Sequence, residues 1–161
     1  LGPKYRGDIC RPGIALYGGN PFATQPNPFQ SVAYLEGTVL QLRPVGAGKP
    51  VGYGATGAAD SDRLLAVVGI GYADGVSRLL SGRGFTAFKG RRLPIVGRIS
   101  MDLTHVDVTS VAKQIELGDW VEFIGTTISV DEVARWAQTI SYEVLTGLGP
   151  RLERHYFTSM T

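Results

Sequence analysis

The chain has 161 residues, of which 43% are hydrophobic and 19% charged, and its formal net charge is +2. This length and composition are typical of a soluble globular domain with a well-buried core, and they exclude a disordered chain. Lysine and arginine are scattered, which argues against a nucleic-acid track, and no apolar run reaches the length of a membrane span. These features predict a small-molecule partner, with neither nucleic acid nor membrane.

The cysteine and histidine content limits the chemistry further. Cys10 is the single cysteine, which excludes an intrachain disulfide and any CxxC motif and favours a reducing, cytoplasmic location. His105 and His155 are far apart and lack companions at metal-ligand spacing, so we predict no metal site. The first residue is Leu1 rather than methionine, and we expect a piece cut from a longer protein.

The elements in the first part of the chain are short. Ile14–Tyr17 is predicted as a strand without a neighbouring partner, the last strand of a domain whose earlier part is missing. Residues 20–28 contain three prolines and no periodicity, which predicts a linker or an exposed loop.

The body of the chain is predicted to be mainly β. Short stretches rich in Val, Ile, Leu, Thr and Tyr alternate with Gly and Pro, a pattern typical of strands in a closed or partly closed barrel or a sandwich. Lys89-Gly90-Arg91 predicts a tight hairpin turn. The strands of the body are predicted at Tyr34–Leu42, Leu64–Gly71, Phe85–Phe88, Leu93–Val96, Leu103–Val108 and Trp120–Ile124.

Helical patterns are confined to the last third. Ser129 and Glu132 have the spacing of a capping box, and Val130, Val133, Ala134 and Ala137 follow at helical spacing. Ser141 is predicted to cap a second, short helix that ends near Gly147 or at Gly149-Pro150.

Two glycine-rich segments are candidates for function. The segment from Gly69 to Gly75 follows a strand but lacks the spacing of a dinucleotide-binding loop. Tyr53 lies between Gly52 and Gly54, where the backbone can approach a ligand closely. On the residues alone, Tyr53 is either a functional phenol or an aromatic packed beside a turn.

Five motifs in order, spread over most of the chain, resemble the signatures of alanine racemases. The motifs are Arg11-Pro12-Gly13-Ile14-Ala15-Leu16-Tyr17-Gly18, Val51-Gly52-Tyr53-Gly54, Gly71-Tyr72-Ala73-Asp74-Gly75, Val96-Gly97-Arg98-Ile99-Ser100-Met101-Asp102, and Ile140-Ser141-Tyr142-Glu143 with Arg151 and Arg154 after it.

The resemblance implies the end of a (β/α)8 barrel followed by a C-terminal β-domain with a barrel-like sheet. Residues 1–28 would be the last strand and helix region of the barrel, and residues 29–161 the β-domain. The family uses pyridoxal phosphate (PLP), bound by a Schiff-base lysine of the barrel, and no lysine of this chain matches that motif. The chain alone is therefore expected to be inactive.

The resemblance also implies roles for individual residues. Racemisation needs an acid/base group on each face of the substrate Cα, and Tyr53 matches the family's catalytic tyrosine. Arg11 matches the arginine that donates to the pyridine nitrogen. Three further residues match contacts to the PLP phosphate, namely the amides of Gly13 and Ile14 and the hydroxyl of Tyr142. Three others match the substrate region, namely the Met101-Asp102 pair, at which a backbone amide meets the substrate carboxylate, and Tyr72, which narrows the entrance.

The implied function is the interconversion of L- and D-alanine for cell-wall synthesis, in a cytoplasmic homodimer with shared active sites. Gly57 departs from the family pattern, since relatives tend to carry an aromatic residue there, and this predicts altered packing near Tyr53. Two alternatives stay open at this point. One is a PLP racemase or decarboxylase that acts on another amino acid, and the other is a non-catalytic β-domain that serves dimerisation or partner binding.

Overall fold

The computed structural model describes residues 3–22, 24–51, 57–58 and 61–157. In these ranges the chain forms short strands, two short α-helices and several 3₁₀ helices. The strands are β1 (Leu35–Val45), β2 (Pro50–Val51), β3 (Gly57–Ala58), β4 (Arg63–Val68), β5 (Phe85–Phe88), β6 (Arg91–Pro94), β7 (Thr104–Asp107) and β8 (Trp120–Ile124). The helices are α1 (Val130–Trp136) and α2 (Ser141–Thr146), and the 3₁₀ helices are Pro3–Tyr5, Ile14–Tyr17, Tyr72–Asp74, Arg78–Leu80 and Thr109–Val111.

Six antiparallel strands form one sheet in the order β6-β5-β8-β1-β4-β7. The long strand β1 pairs with β8 through its first residues and with β4 through the rest, and its register with β4 shifts between Val39 and Gln41. Such an irregularity bends a strand and increases its twist. An isolated antiparallel bridge between Ile95 and Val106 connects the two ends of the sheet. The sheet is therefore a nearly closed barrel, which confirms the predicted mainly-β, barrel-like fold.

The core lies inside this curved sheet and is covered by α1. Along β1 the inward positions Leu35 and Val39 alternate with exposed ones, as the two-residue period of a strand requires. The most deeply buried strand residues include Val68, Val106 and Val121, which are completely buried. Burial of these branched apolar side chains supplies the main favourable term in folding.

The β5–β6 hairpin confirms the predicted turn but shifts one strand. Lys89 and Gly90 have φ values of 48° and 76°, the positive values of a two-residue turn. Phe88 therefore pairs directly with Arg91. Strand β6 begins two residues before the predicted Leu93–Val96, because a two-residue turn allows pairing to start at once.

The prediction of a strand at Ile14–Tyr17 is wrong, since these residues form a 3₁₀ helix. The amide of Leu16 donates to the carbonyl of Gly13 at 3.0 Å, and Gly18 closes the turn in the left-handed region with φ 80°. A strand needs a neighbour to accept its backbone hydrogen bonds. No described strand pairs with this segment, and local bonds satisfy its backbone instead.

The two helices correspond closely to the predicted ones, with one correction. Ser129 and Glu132 form the capping box of α1, as predicted. In α2 the N-cap is Ile140, which provides no side-chain bond, so the prediction that Ser141 caps this helix is wrong. The Ser141 hydroxyl donates to Asp131 instead, at 2.5 Å. The helix ends before Gly147, one of the two predicted ends.

The proline-rich segment at residues 20–28 is an exposed loop in its described part, as predicted. Two asparagines order it through local bonds. The Asn20 side chain accepts from the amide of Phe22 and donates to the carbonyl of Gln25, and Asn27 donates to the carbonyl of Gly18 at 2.8 Å. In the described ranges no helix is long and apolar enough to cross a membrane.

Candidate functional site

The structure brings together residues from opposite ends of the chain that were predicted to contact a phosphate. Gly13 precedes the Ile14–Tyr17 helix, and Tyr142 lies in the first turn of α2. A Cβ atom built on Gly13 would be only 2.5 Å from the Tyr142 hydroxyl oxygen. The hydroxyl thus lies against a position where any side chain would displace it.

This corner of the domain offers neutral hydrogen-bond donors. Ile14 is the first residue of its helix, where backbone amides have no intrahelical acceptor, and in the described part of the chain neither its amide nor that of Gly13 donates a hydrogen bond. The Tyr142 hydroxyl is likewise without a partner among the described residues, and its side chain is 43% exposed. Two amides and a hydroxyl around an open space fit a phosphate group.

Arg11 lies two residues before Gly13 and is exposed. Its guanidinium makes no hydrogen bond or ion pair to another described residue, so it is available to a ligand or to another part of the protein. No three His, Cys, Asp or Glu side chains of the described ranges are grouped so as to hold a metal ion.

The predicted substrate-contacting pair occupies the tip of a closed turn. The amide of Ser100 donates to the carbonyl of Leu103 at 3.0 Å, and the Ser100 hydroxyl bonds to the backbone of Leu103 as well. Met101 and Asp102 lie between them with exposed side chains. Neither amide of the pair donates to any residue that the structure describes, so both remain able to bind a carboxylate.

The Tyr72 helix is fastened to this turn by backbone bonds. The amides of Tyr72 and Ala73 donate to the carbonyls of Ser100 and Met101, both at 3.0 Å. Gly71 lies so close to Met101 that a Cβ atom there would overlap the Met101 carbonyl oxygen. Tyr72 and the Met101-Asp102 pair, which were predicted from separate motifs, therefore form one rigid unit.

Arg151 clamps this unit from the C-terminal side. Its guanidinium lies 2.7 Å from Asp102 Oδ1 and 3.3 Å from Asp74 Oδ1. Asp74 is buried, and its second oxygen accepts the amide of Gly71 at 2.9 Å. The hydrogen bond to Asp102 and the charge of Asp74 raise the pKa of Arg151. One arginine thus ties together the two turns that carry the predicted substrate-contacting residues.

The residues predicted to contact the phosphate and those predicted to contact the substrate lie at opposite ends of α2. Tyr142 is in its first turn, and just beyond its last turn the amide of Gly149 donates to the carbonyl of Asp74 at 3.1 Å. Six helical residues separate the two ends by about 9 Å. A cavity of about 290 Å³ lies beside α2 and is lined by Tyr72 but by neither Tyr142 nor Met101.

Tyr53, the predicted catalytic residue, lies outside the described residues. Val51, two positions before it, is buried and packs against Leu65 of β4. Val51 also pairs with Gly57 across β2 and β3. Val51 is thus anchored to the barrel.

His105 is a partly buried titratable group outside the candidate site. His105 on β7 has its Nδ1 buried without a hydrogen-bond partner among the described residues. Burial, and secondarily the positive charge of Arg43, lowers its pKa. The folded chain therefore favours the neutral form of His105.

The sequence motifs predict candidate contact residues, but they do not predict which residues hold those candidates in place. The motif that contains Arg151 predicts no role for it, and no motif includes Asp131, which bonds to Asn20 and Ser141. The available signal for Asp131 was its place in the first turn of a helix, where acidic residues are favoured. Its partners are distant in sequence, so no local pattern could reveal them.

The fold and this arrangement of turns define a barrel-like β-domain, and the candidate contact residues lie at two places on the surface. The family model for "Alanine racemase, C-terminal domain" matches residues 32–156. The chain belongs to the alanine racemase family and comprises its C-terminal domain.

Similar proteins cover nearly the whole chain. The catabolic alanine racemase of Rhizobium johnstonii is 50% identical over 157 residues, which are 97% of this chain and 42% of that protein. The biosynthetic alanine racemase of Agrobacterium fabrum is 44% identical over 171 aligned residues, 99% of this chain and 44% of that protein. The chain therefore spans about two fifths of the length of these relatives.

Solved structures agree with the fold. The alanine racemase of Bartonella henselae, crystallised with covalently bound pyridoxal phosphate, matches with a TM-score of 0.86 and 46% identity over 91% of this chain and 41% of that one. The biosynthetic enzyme of Pseudomonas aeruginosa matches with a TM-score of 0.86 and 38% identity over 91% of this chain and 42% of that one.

Proposed function

We propose that the chain is the C-terminal part of a PLP-dependent alanine racemase that interconverts L- and D-alanine. The observation that carries the proposal is the meeting of Gly13 with the Tyr142 hydroxyl, next to amides without acceptors. Residues that the family motifs assign to one phosphate are far apart in sequence and yet lie together. The relatives and solved structures named above support the same reaction.

In the proposed site, bound PLP acts as the electron sink that makes the substrate Cα proton removable. The Gly13 and Ile14 amides and the Tyr142 hydroxyl hold the phosphate. Arg11 donates to the pyridine nitrogen, and because a guanidinium is only a donor and stays charged, it disfavours protonation of that nitrogen. An amide of the Met101-Asp102 turn binds the substrate carboxylate, and Tyr72 narrows the entrance.

Tyr53 moves the proton on one face of the substrate Cα. A phenol has a reference pKa of about 10, so its environment must favour proton exchange at neutral pH. The base on the opposite face is the lysine that attaches PLP. All four lysines of this chain, Lys4, Lys49, Lys89 and Lys113, are exposed, and none matches the attachment motif. By itself, the chain is therefore inactive.

Residues 1–28 are proposed to belong to the end of a (β/α)8 barrel, and residues 29–161 to the β-domain. The family match at residues 32–156 supports a boundary of this kind. The exposed cysteine Cys10 is compatible with the reducing cytoplasm that we propose as the location. The D-alanine formed there would supply cell-wall synthesis.

The active protein is proposed to be a homodimer with shared sites. The two groups of proposed contact residues lie at opposite ends of α2, and the cavity beside α2 is lined by Tyr72 but not by Tyr142. This separation is expected if Tyr142 serves one active site while Tyr72 and Met101 reach into that of the other subunit.

Racemase activity of the full-length protein tests the reaction. With PLP, we expect exchange of the alanine Cα proton and loss of that activity in Tyr53→Phe, while the 161-residue chain alone shows neither activity nor a PLP–lysine absorption band. Absence of alanine racemisation by the full-length protein would refute the proposal. Faster racemisation of another amino acid than of alanine would replace alanine as the substrate.

Mixing two inactive variants tests the shared site. One variant carries Tyr53→Phe, and the other lacks the attachment lysine. If the tyrosine and lysine of a site come from different subunits, random mixing restores about a quarter of the wild-type activity, since about half of the dimers are mixed and each has one intact site. No recovery despite subunit exchange would place both groups in the same subunit.

A further inference from the structure

Asp131 is a half-buried carboxylate in the first turn of α1 that connects the N-terminal segment to α2. Its Oδ2 accepts the backbone amide of Asn20 at 2.9 Å, although 111 residues separate the two. Its Oδ1 accepts the hydroxyl of Ser141 at 2.5 Å. A single side chain thus joins three segments of the domain.

On one side, this connection determines the position of the Gly13–Ile14 turn. The amide of Gly19, the residue before Asn20, donates to the carbonyl of Ile14 at 3.1 Å. Gly19 also packs so closely on Ile14 that a Cβ atom there would overlap its side chain and lie 3.3 Å from Asp131 Oδ1. Anchoring Asn20 to Asp131 therefore fixes the carbonyl side of the turn whose amides face outward.

On the other side, the connection holds the start of α2, where Tyr142 lies. Ser141 directly precedes Tyr142, and the N-cap residue Ile140 contributes no side-chain bond to the start of α2. The Asp131–Ser141 bond is therefore the side-chain attachment of this helix start to α1. Asp131 thus bonds to Ser141, the immediate neighbour of Tyr142. It also bonds to Asn20, whose neighbour Gly19 bonds to the turn of Gly13 and Ile14.

A carboxylate at position 131 accepts these two hydrogen bonds more strongly than a neutral group would. It lies in the first turn of a capped helix, where the unpaired amides favour a negative charge. Hydrogen bonds to an ionised acceptor are about twice as strong as neutral ones. Asparagine has almost the same shape but no charge: its single oxygen can accept only a neutral hydrogen bond from Asn20, and its NH₂ group keeps a bond to Ser141 only if that hydroxyl turns to accept.

We propose that Asp131 is a positioning residue for the cofactor phosphate, and this inference rests on the proposed function. It does not touch the phosphate. It holds the Gly13–Ile14 amides and the Tyr142 hydroxyl at the mutual distance that a phosphate requires, although the two groups belong to different segments. Without it, the turn and the helix start would drift apart, and the phosphate would lose simultaneous contact with both.

Binding of PLP and of pyridoxal, which lacks the phosphate, to the full-length apoprotein tests this role. For Asp131→Asn we expect the dissociation constant of PLP to rise about tenfold, while that of pyridoxal stays within about twofold. Asp119→Asn is the matched control, because the Asp119 carboxylate also accepts a backbone amide, that of Glu116 at 2.8 Å, in an exposed turn. The control should change neither constant.

Ser141→Ala removes one of the two bonds and keeps the proposal testable if Asp131→Asn does not fold. It should selectively weaken PLP as well, by a smaller factor, and add little when combined with Asp131→Asn. Equal weakening of PLP and pyridoxal would assign Asp131 a general structural role and overturn the proposal, as would unchanged binding of both. Failure of the wild-type protein to bind PLP would instead refute the proposed function, and this inference with it.

Discussion

Replacing Gly13 by alanine should displace the Tyr142 hydroxyl from the phosphate site. The new Cβ atom would lie 2.5 Å from the hydroxyl oxygen, and ordinary contact begins at 3.4 Å, so the oxygen must retreat by about 0.9 Å. Gly13 has φ −102° and so is not in the left-handed conformation. The half-exposed tyrosine ring has room to move away, so folding should be little affected.

Loss of the hydrogen bond from the Tyr142 hydroxyl should lower the affinity for PLP. A hydrogen bond to a charged group contributes about 1.5–3 kcal/mol, and a shift of this size removes it, which corresponds to a roughly 10- to 100-fold rise in the PLP dissociation constant. Equilibrium titration of the full-length apoprotein measures this. Gly7→Ala is the control in the same segment, since a Cβ there would meet nothing closer than 3.8 Å.

The cause is isolated by repeating the substitution in a Tyr142→Phe background. Because the hydroxyl is then absent, Gly13→Ala should cost little further affinity. An equally large additional loss in that background, or normal PLP binding by the single variant, would refute the assignment of Gly13 and Tyr142 to one phosphate site.

Three further predictions concern the clamp, the core and a buried histidine. Arg151→Gln should free the turn that carries Asp102 and raise the KM for alanine by a few fold, with a smaller effect on kcat, in steady-state kinetics of the full-length protein. Leu93→Ala should lower the free energy of unfolding of the chain by about 3 kcal/mol in urea titrations, because Leu93 is completely buried and its removal leaves a cavity. Burial and the charge of Arg43 lower the pKa of His105, so below about pH 6.5 the unfolded chain binds a proton at this residue more readily than the folded chain does. Stability from this residue is therefore present above that pH and is lost as the pH falls, and His105→Phe should flatten the pH dependence of urea unfolding between about pH 7 and 5.

Each of these has a result that would contradict it. A purely kcat effect of Arg151→Gln would mean that the clamp does not position the carboxylate-binding turn. A loss below about 1 kcal/mol for Leu93→Ala would mean that the core collapses around the deletion. An unchanged pH profile in His105→Phe would show that the histidine titrates alike in the folded and unfolded chain.

Local signals in the sequence predicted local structure well. The Lys89-Gly90 turn and the Ser129–Glu132 capping box depend on residues within a few positions of one another, and both form as predicted. The exposed loop at residues 20–28 followed from its prolines in the same way. The family motifs are contiguous in sequence, so they also identified the candidate residues of a cofactor site. The catalytic role of Tyr53 stays a prediction.

The same local signals failed where a distant partner decides the outcome. The residues of Ile14–Tyr17 are compatible with a strand, but a strand requires a neighbour, and the segment forms a 3₁₀ helix through its own backbone bonds. Ser141 has the chemistry of a helix cap, but its hydroxyl turns to Asp131, which another helix presents. Propensity states what a segment can do, and the surroundings select among the possibilities.

By itself, the sequence determined the family, the predominance of strands and the identity of the candidate contact residues, because these are written in composition, short-range periodicity and contiguous motifs. Only the tertiary structure decided that Gly13 lies against Tyr142, that Tyr72 and Met101 form one unit under Arg151, and that Asp131 bonds to both Asn20 and Ser141. The antiparallel pairing of β1 with β8 sets Leu35 opposite Ile124 and so brings the N-terminal segment beside the C-terminal helices, and no pattern within a few residues encodes that meeting.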